Sequence, residues 1–599
     1  MKPLRFAVFI SVALGELAAL TYAKKNPGLM RVDRYPRLFH VPRGGSLSLH
    51  DLKEHKPCNS EILQKLKASR GGAKKQSNAL EPAPKNSALS KFFPIFRSEL
   101  PQFMFMSVMM FLFIYVYTTA RDTKDTLIVS KCGAEAVPFL KMYGVMPSAF
   151  LFILGYSKMA QTFGKQTLFY ATILPFFAFF GIFAFLLFPN REKIHFSDDS
   201  LSSWLQHSGP AGKAAGNLVR YWSFSLFYII SELWASAGVP LLFWQVANDI
   251  TSVSQAKRFY PLFAVTGNLA PIVSGKVMSY FISTQKTSDD VGFSSTLKKL
   301  AFLKIVSGAI IILLYKLVYI ESDRAALDNI KSGETQVVEA KPKTDRGKGR
   351  LSKMEDKGIA TSTKPTLKES IIGMSKSKEL KSMATIVLCY NICIELTEVL
   401  WKGILRKTYP NTSDYMNFMA SFSQKVGTFA LLLQLLASTI IGRLGWTNAS
   451  RVTPLAMLVL SVPFFVVVAI STRNPTMIPL MTALTIGTWQ NVISKVTKYS
   501  LFDPLKEMAY IPMGPDAKTK GKAAIDVMGA KLGRCVAAGS QQALVLGTGS
   551  ILNSAPYLGV CYLGTISLWL SALNVLGKMF DQQEEQAATK ERSMKASKF

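Results

Sequence analysis

The chain has 599 residues, of which 49% are hydrophobic and 11% aromatic, and its mean hydropathy is positive. This composition excludes an ordinary set of soluble domains and is typical of polytopic membrane proteins. The formal net charge of +32 could suggest nucleic-acid binding. The lysines and arginines, however, lie in the N-terminal region, one central hydrophilic stretch and short connections, as targeting segments and positive-inside loops require. We therefore expect contact with a lipid bilayer and no nucleic-acid partner.

The cysteines and histidines predict neither a metal site nor a disulfide framework. The six cysteines show no CxxC spacing and have no histidine near them. All five histidines lie outside the apolar runs, so a proton relay inside the membrane would have to use carboxylates.

The N-terminal region is typical of targeting sequences. Residues 1–23 resemble a secretory signal peptide, with a basic start, an apolar stretch and small residues before the cleavage site. Residues 24–95 are basic and poor in acids, which is typical of a transit peptide. The order of the two segments predicts delivery to a plastid bounded by extra membranes, that is, a complex (secondary) plastid. The alternative is a secretory-pathway membrane protein with a basic arm.

Twelve segments are long and apolar enough to cross a membrane. They are residues 101–121, 136–156, 167–188, 222–247, 258–282, 300–320, 383–404, 418–442, 451–471, 475–494, 522–550 and 555–578. A basic hydrophilic segment, 321–381, separates six spans from six and is predicted to be a disordered linker on the inner side. The predicted domains are thus a six-helix bundle at 96–320, a second at 382–578, and a charged tail at 579–599.

Six spans on each side of a basic loop predict an all-α polytopic membrane protein with a major-facilitator-like repeat. Two pairs of short motifs support the repeat. Phe163-Gly164-Lys165-Gln166 lies between spans 2 and 3, and Gly442-Arg443-Leu444-Gly445-Trp446 lies between spans 8 and 9. Trp244-Gln245 ends span 4, and Trp489-Gln490 lies in span 10.

Charged residues cluster at the end of the first span, in Arg121-Asp122-Thr123-Lys124-Asp125. If the helix continues, Arg121 and Asp125 stand at i and i+4 and can form an ion pair. Lys124 has no such partner, because its i−4 and i+4 neighbours are Ala120 and Ile128. Another helix or an anionic ligand should then neutralise it. The alternative is a lysine that snorkels to the interface.

Other spans carry ionisable residues as well. Span 4 contains Glu232, and span 7 contains Glu395 and Glu398. Glu398 and Lys402 can pair at i and i+4, as can Lys522 and Asp526 in span 11, where Arg534 follows two turns on. Each group can be a simple structural ion pair. Together they can also surround one central cavity.

Such a cavity suits an anion with a flat apolar part. Lysine and arginine bind phosphate, and Trp234, Trp244 and Trp401 can stack on a base, although membrane tryptophans are often interface anchors. Neither Gly275-Lys276 nor Gly521-Lys522 has the preceding glycine of a P-loop. We therefore expect transport without hydrolysis, not an enzyme, and no cofactor or metal.

Several ordered motifs make the chain resemble the plastidic and bacterial-type nucleotide transporters, the ATP/ADP translocases of chloroplasts and intracellular bacteria. The resemblance rests on Arg-Asp-Thr-Lys-Asp-Thr-Leu at 121–127, Gly133-Ala134-Glu135-Ala136 with Pro138-Phe139-Leu140-Lys141, Leu242-Phe243-Trp244-Gln245 through Asn248, Ala256–Phe263, Thr397-Glu398 with Trp401-Lys402, and Lys520–Val527. Cys393, Glu395 and Arg534-Cys535-Val536 are less typical of the family.

The resemblance implies an ATP/ADP antiporter that works by alternating access in the plastid inner envelope. It implies functionally important charges at four positions, which are Lys124, Glu232, Glu398 and Lys522 or Lys520. We expect the lysines to bind phosphates and the two carboxylates to act as gating partners, with Arg121 and Asp526 as further site residues. The alternatives are a uniporter or proton-linked importer of several nucleotides, with phosphate as a possible further substrate. A non-transporting membrane receptor or scaffold, with the linker as its docking segment, is a third hypothesis.

Overall fold

The computed structural model describes residues 94–197, 209–285, 290–331, 378–510, 525 and 529–596. These residues are almost entirely helical and include no strand, which confirms the prediction of an all-α polytopic membrane protein. The predicted signal peptide, nearly all of the transit-like segment and most of the linker lie outside the described residues. So do Lys520, Lys522 and Asp526.

Eleven long helices make up the described chain. They are α1 Leu100–Cys132, α2 Ala136–Thr162, α3 Lys165–Leu187, α4 Trp222–Ile250, α5 Val253–Ser283, α6 Asp290–Lys331, α7 Lys378–Thr408, α8 Thr412–Arg473, α9 480–509, α10 Ala530–Thr548 and α11 Ala555–Ala596. Two short helices, Arg191–Ile194 and Gly209–Arg220, lie between α3 and α4. Eight of the described helices are apolar and long enough to cross a membrane.

Several helices run past the predicted ends of their spans. Helix α1 continues to Cys132, so Arg121–Leu127 is helical, as its i, i+4 analysis requires. Helix α6 continues to Lys331, beyond the predicted end at residue 320. Hydrophobic length marks only the apolar part of a helix, because polar turns at either end add little to the signal.

Helix α8 contains two predicted spans, 8 and 9, in its 62 residues. The two segments meet at Gly445, where the backbone has φ 72° and ψ 168°. Only glycine adopts this region without strain, because it has no Cβ. The predicted loop at Gly442–Trp446 is therefore a break at one residue. In the N-terminal counterpart, α2 ends at Thr162 and α3 begins at Lys165.

The helices alternate in direction, which defines two ends of the bundle. At the linker end, where α6 ends and α7 begins, Gln102 of α1 donates a hydrogen bond to the Ile250 carbonyl of α4 at 2.9 Å. At the far end, Ser413 of α8 donates to Gln285, which follows α5, at 3.2 Å. We call α1–α6 the N-terminal half and α7–α11 the C-terminal half.

Contacts between the halves follow the predicted repeat. Helix α2 packs on α10, and α5 packs on the first part of α8. In span numbers these pairs are 2–11 and 5–8. The repeat relates span 2 to span 8 and span 11 to span 5, so it converts one pair into the other. The α5–α8 contact is close: a Cβ on Gly275 would lie 2.3 Å from the Ala420 carbonyl oxygen, and one on Gly427 would lie 2.8 Å from an Ile272 side-chain carbon. Glycines allow helix backbones to approach in this way.

Helices α4 and α9 share one internal plan. Each begins with a regular α-helix, passes through a π-helical segment, and ends in seven α-helical residues. The π segments are Gly238–Phe243 and Lys498–Phe502. Trp244 follows the first π segment, whereas Trp489 precedes the second. The two Trp-Gln pairs are therefore not at equivalent positions, and the predicted correspondence between them is wrong. In a chain with 11% aromatic residues such a pair arises by coincidence.

Candidate functional site

A lysine from each half binds the same carboxylate. The Lys124 ammonium lies 2.8 Å from one oxygen of Asp125, and the Lys402 ammonium lies 2.8 Å from the other. Lys124 lies on α1 and Lys402 lies on α7, the first span of each half. The two lysines therefore come from corresponding helices of the repeat, and Asp125 joins them across the interface between the halves.

Further charges extend this bridge on both sides. Glu232 of α4 lies 3.1 Å from Lys124 and 3.7 Å from Arg534 of α10. Glu398 lies 2.8 Å from Lys402 and 3.0 Å from Lys495 of α9. We call the seven residues the central ion network: Arg534, Glu232, Lys124, Asp125, Lys402, Glu398 and Lys495. It alternates in sign and contains four cations and three anions.

The predicted partner of Lys124 is confirmed in kind, since Glu232 neutralises it from another helix. Asp125, its neighbour in sequence, adds a second ion pair. The predicted Glu398–Lys402 pair is also present. The reading of Lys124 as a snorkelling interface lysine does not fit a side chain that is only 4% exposed.

The predicted Arg121–Asp125 pair is wrong. Arg121 instead lies 2.9 Å from Asp122 and donates a hydrogen bond to Ser423 of α8 at 2.7 Å. The Ser423 hydroxyl in turn donates to Asp122. Both oxygens of Asp125 bind lysines. This buried carboxylate is therefore already neutralised without the guanidinium one turn away.

A second ion pair joins the halves beside the central ion network. Lys141 of α2 lies 2.6 Å from Glu395 of α7, and both side chains are largely buried. Gln541 of α10 donates to the Glu395 carbonyl oxygen at 3.0 Å. Lys531, one turn from Arg534, donates to Ser236 of α4 at 3.1 Å. Glu395, which looks atypical for the family in sequence, therefore has a specific partner in the opposite half.

The central ion network has a buried middle and more accessible ends. Its three middle side chains, Lys124, Asp125 and Lys402, are at most 4% exposed. The flanking side chains are more exposed, at 14% for Glu232, 15% for Glu398, 11% for Lys495 and 46% for Arg534. An entering anion would therefore meet the flanking cations before the lysine pair.

The three candidate stacking tryptophans lie in different surroundings. Trp234 is 1% exposed and packs against Phe113, Phe176 and Phe177. Trp401 is fully buried and donates a hydrogen bond to Thr488 at 3.1 Å. Both are core residues in this conformation, with no ring face open to a ligand. Trp244 is partly exposed and packs edge-on against Tyr260.

Lys495 is the network residue that the sequence did not single out. Lys495 lies just beyond the predicted end of span 10 at residue 494, although the α-helix continues to Thr497. A lysine one residue past an apolar run is typical of a membrane interface. The predicted end of span 10 therefore placed Lys495 outside the membrane. Asp125 was assigned to Arg121. Among the described residues, no group of three or more metal-ligating side chains comes together.

Comparison with known proteins identifies the family. The family model described as TLC ATP/ADP transporter matches residues 81–580. The chain belongs to this family. It is 36% identical to ADP,ATP carrier protein 1 of Chlamydia pneumoniae, over 86% of this chain and 99% of the relative. It is 34% identical to the chloroplastic ADP,ATP carrier protein 1 of Arabidopsis thaliana, over 92% and 85%.

Among solved structures, this TLC family member is similar to a D-xylose–proton symporter, with a TM-score of 0.47 and 11% identity over 79% of this chain and 96% of that one.

Each carboxylate of the central ion network lies between two cations, and a phosphate group in that position could accept the same charge-assisted hydrogen bonds.

Proposed function

We propose that this protein exchanges ATP for ADP across the plastid inner envelope, by alternating access and without hydrolysis. The observation that best supports this function is the bridge in which Asp125 joins Lys124 and Lys402 from opposite halves. The names of the bacterial and chloroplastic relatives support ADP and ATP as the substrates.

In this proposal Asp125 and Glu232 occupy the positions that the substrate's phosphates take when the nucleotide binds. A polyphosphate carries several anionic oxygens and can take over the ammonium groups of Lys124 and Lys402 while Asp125 and Glu232 are released. Removing one partner from a buried ion pair without replacement costs about 3–5 kcal/mol. The carboxylates therefore leave their lysines only when the nucleotide arrives.

The same reasoning favours exchange over one-way transport. In this structure, the Lys402–Asp125 and Arg534–Glu232 pairs join the two halves. Rocking of the empty protein would break these pairs without compensation, whereas the bound nucleotide supplies replacement charges. An empty carrier should then reorient slowly, so that transport in one direction requires a substrate for the return.

The remaining assignments extend this proposal. Glu232 and Glu398 act as gating carboxylates, and Lys522 or Lys520 contributes a further phosphate contact together with Asp526. Arg121 holds the interface through Ser423, which makes it a positioning residue. Placement in the inner envelope of a complex plastid rests on the predicted signal and transit segments.

Radiolabelled ATP uptake into proteoliposomes tests the proposal. Vesicles preloaded with ADP should take up ATP rapidly, and empty vesicles should not. Lys124→Gln should reduce the preloaded uptake roughly a hundredfold or more, as expected from the loss of a buried ion pair worth about 3–5 kcal/mol. Lys165→Gln is the matched control, because that lysine is 67% exposed at the linker end.

The other outcomes identify the other hypotheses. Equal uptake into empty vesicles would indicate a uniporter, and inhibition by collapse of a pH gradient would indicate proton linkage. Uptake of all nucleoside triphosphates alike would indicate a broad importer. No uptake of any nucleotide by well-inserted protein would favour a receptor or scaffold.

A further inference from the structure

Two tyrosines are the accessible aromatic rings beside the site's cations. In the described part of the chain, five rings form cation–π contacts with the cations of the central ion network, with Arg121 or with Lys498. Tyr228, Tyr390 and Phe422 are at most 3% exposed and belong to the core. Tyr117 and Tyr499 are partly exposed. A ligand that enters the site can therefore reach these two rings and not the other three.

Tyr117 lies on the same face of α1 as the phosphate-binding lysine. The spacing of Tyr117, Arg121 and Lys124 is i, i+4, i+7, which places all three on one side of a helix. The Arg121 guanidinium carbon lies 5.6 Å from the centre of the Tyr117 ring. Seven residues correspond to roughly 10 Å along the helix. That separation is comparable with the length of a triphosphate and a ribose.

Tyr499 lies in the C-terminal half. It lies four residues beyond Lys495, which binds Glu398, and in the direction of the linker end. It belongs to the π-helical segment Lys498–Phe502, and such segments occur frequently at functional sites. Ser500, the next residue, donates a hydrogen bond to the Ala430 carbonyl of α8 at 3.1 Å, and Arg121 binds Ser423 two turns earlier on that helix, so both tyrosines lie beside one segment of α8.

We propose that Tyr117 of α1 and Tyr499 of α9 form the subsite for the nucleobase, on the linker side of the central ion network. This inference rests on the proposed nucleotide transport. Phosphates bind at Lys124 and Lys402, and the base lies toward the linker end between a ring from each half. The subsite replaces the stacking role expected of Trp234 and Trp401, whose rings are buried.

The chemistry of the subsite is stacking, with Arg121 as a neighbouring cation. Stacking on an aromatic ring stabilises any base, because every base has a π-face. The tyrosine pair therefore supplies affinity for a nucleotide over a bare polyphosphate, and little discrimination among bases. Because the rings come from opposite halves, both contact the base only when the halves are close together.

Binding of ATP and of inorganic tripolyphosphate to the purified full-length protein separates the base from the phosphates. Tyr117→Ala and Tyr499→Ala should each raise the Kd for ATP by roughly 5- to 100-fold, as expected from alanine substitution at stacked bases. The Kd for tripolyphosphate should not change. Tyr117→Phe and Tyr499→Phe should retain ATP affinity, since the ring is kept. Tyr143→Ala is the matched control, because that tyrosine is 65% exposed on α2.

Three results would overturn the subsite. The first is unchanged ATP affinity in both alanine variants. The second is an equal loss of ATP and tripolyphosphate affinity, which would mean that the tyrosines serve the phosphate site or the fold. The third is wild-type protein that binds tripolyphosphate as tightly as ATP, which would leave the anion site intact without a base contact. Wild-type protein that binds neither compound would overturn the proposed function and the subsite with it.

Discussion

The two halves share a scaffold but differ in where they place charge. Lys124 and Lys402 lie on corresponding helices, α1 and α7, and both bind Asp125. The residue after Lys402 is Gly403, so no carboxylate follows the lysine of the C-terminal half. Its own carboxylate, Glu398, lies one turn before the lysine, where the N-terminal half has an apolar residue.

The difference extends to the neighbouring helices. Helix α4 contributes an acid, Glu232, to the central ion network, whereas the similarly built α9 contributes a base, Lys495. Two identical halves would place like charges opposite each other across their common axis, and these would repel. Divergence of the repeats allows the charges to alternate instead. The two halves can therefore share one fold while the charges of one half complement those of the other.

The largest expected effect is that of replacing Lys402, the lysine of the C-terminal half that binds Asp125. Lys402→Gln should reduce ATP/ADP exchange about as much as Lys124→Gln, roughly a hundredfold or more, because it leaves Asp125 and Glu398 short of a cation in a buried site. Exchange would be measured per amount of inserted protein. Lys407→Gln on the exposed face of α7 serves as the control. Near-normal exchange by Lys402→Gln would show that only the N-terminal lysine is used.

A smaller effect is expected at the pair that joins the halves beside the network. Lys141→Gln and Glu395→Gln should each slow exchange by about tenfold, since each leaves one largely buried charge unpaired without removing a phosphate contact. The double variant should be no slower than either single variant, because the second change removes the unpaired charge. Exchange rates of all four proteins complete the cycle. Additive losses would mean that the two residues act independently.

The smallest effect compares the two loop glycines. Gly445→Ala should lower the thermal stability of the detergent-purified protein by a few degrees, because alanine is strained at φ 72° by about 1–3 kcal/mol. Gly164→Ala should have almost no effect, since Gly164 has φ −65° and a Cβ there meets nothing within 4 Å. A Cβ at Gly445 also meets nothing, so backbone strain alone is measured. Equal melting temperatures for the two variants would contradict this account.

The sequence predicted the fold well because helix length and apolarity are local signals. A helix covers most of the described part of every predicted span, although α9 begins at Leu480, inside the predicted span 475–494. The glycine-containing connections lie where the motifs indicated. Long-range pairing was harder to foresee. Glu398–Lys402 could be read from i, i+4 spacing, but the Lys402–Asp125 and Lys141–Glu395 pairs join residues more than 250 positions apart. Sequence spacing also assigned Arg121 to Asp125, since a pattern along one helix contains no information about the opposite half.

The sequence also could not predict which aromatic rings are exposed. Trp234 and Tyr117 both lie in apolar helices, and only packing shows that the first is enclosed by phenylalanines while the second is partly exposed. Residue type favoured the tryptophans as stacking residues, because tryptophan has the largest ring. Accessibility favours the tyrosines.

The close contact between α5 and α8 has a mechanical consequence. Gly275 and Gly427 bring the two backbones together, so the helices cannot slide past each other without a clash. This seam can act as a pivot, and the charged residues in the middle of the bundle then move along an arc around it. A side chain at either glycine would push the helices apart and tilt one half against the other.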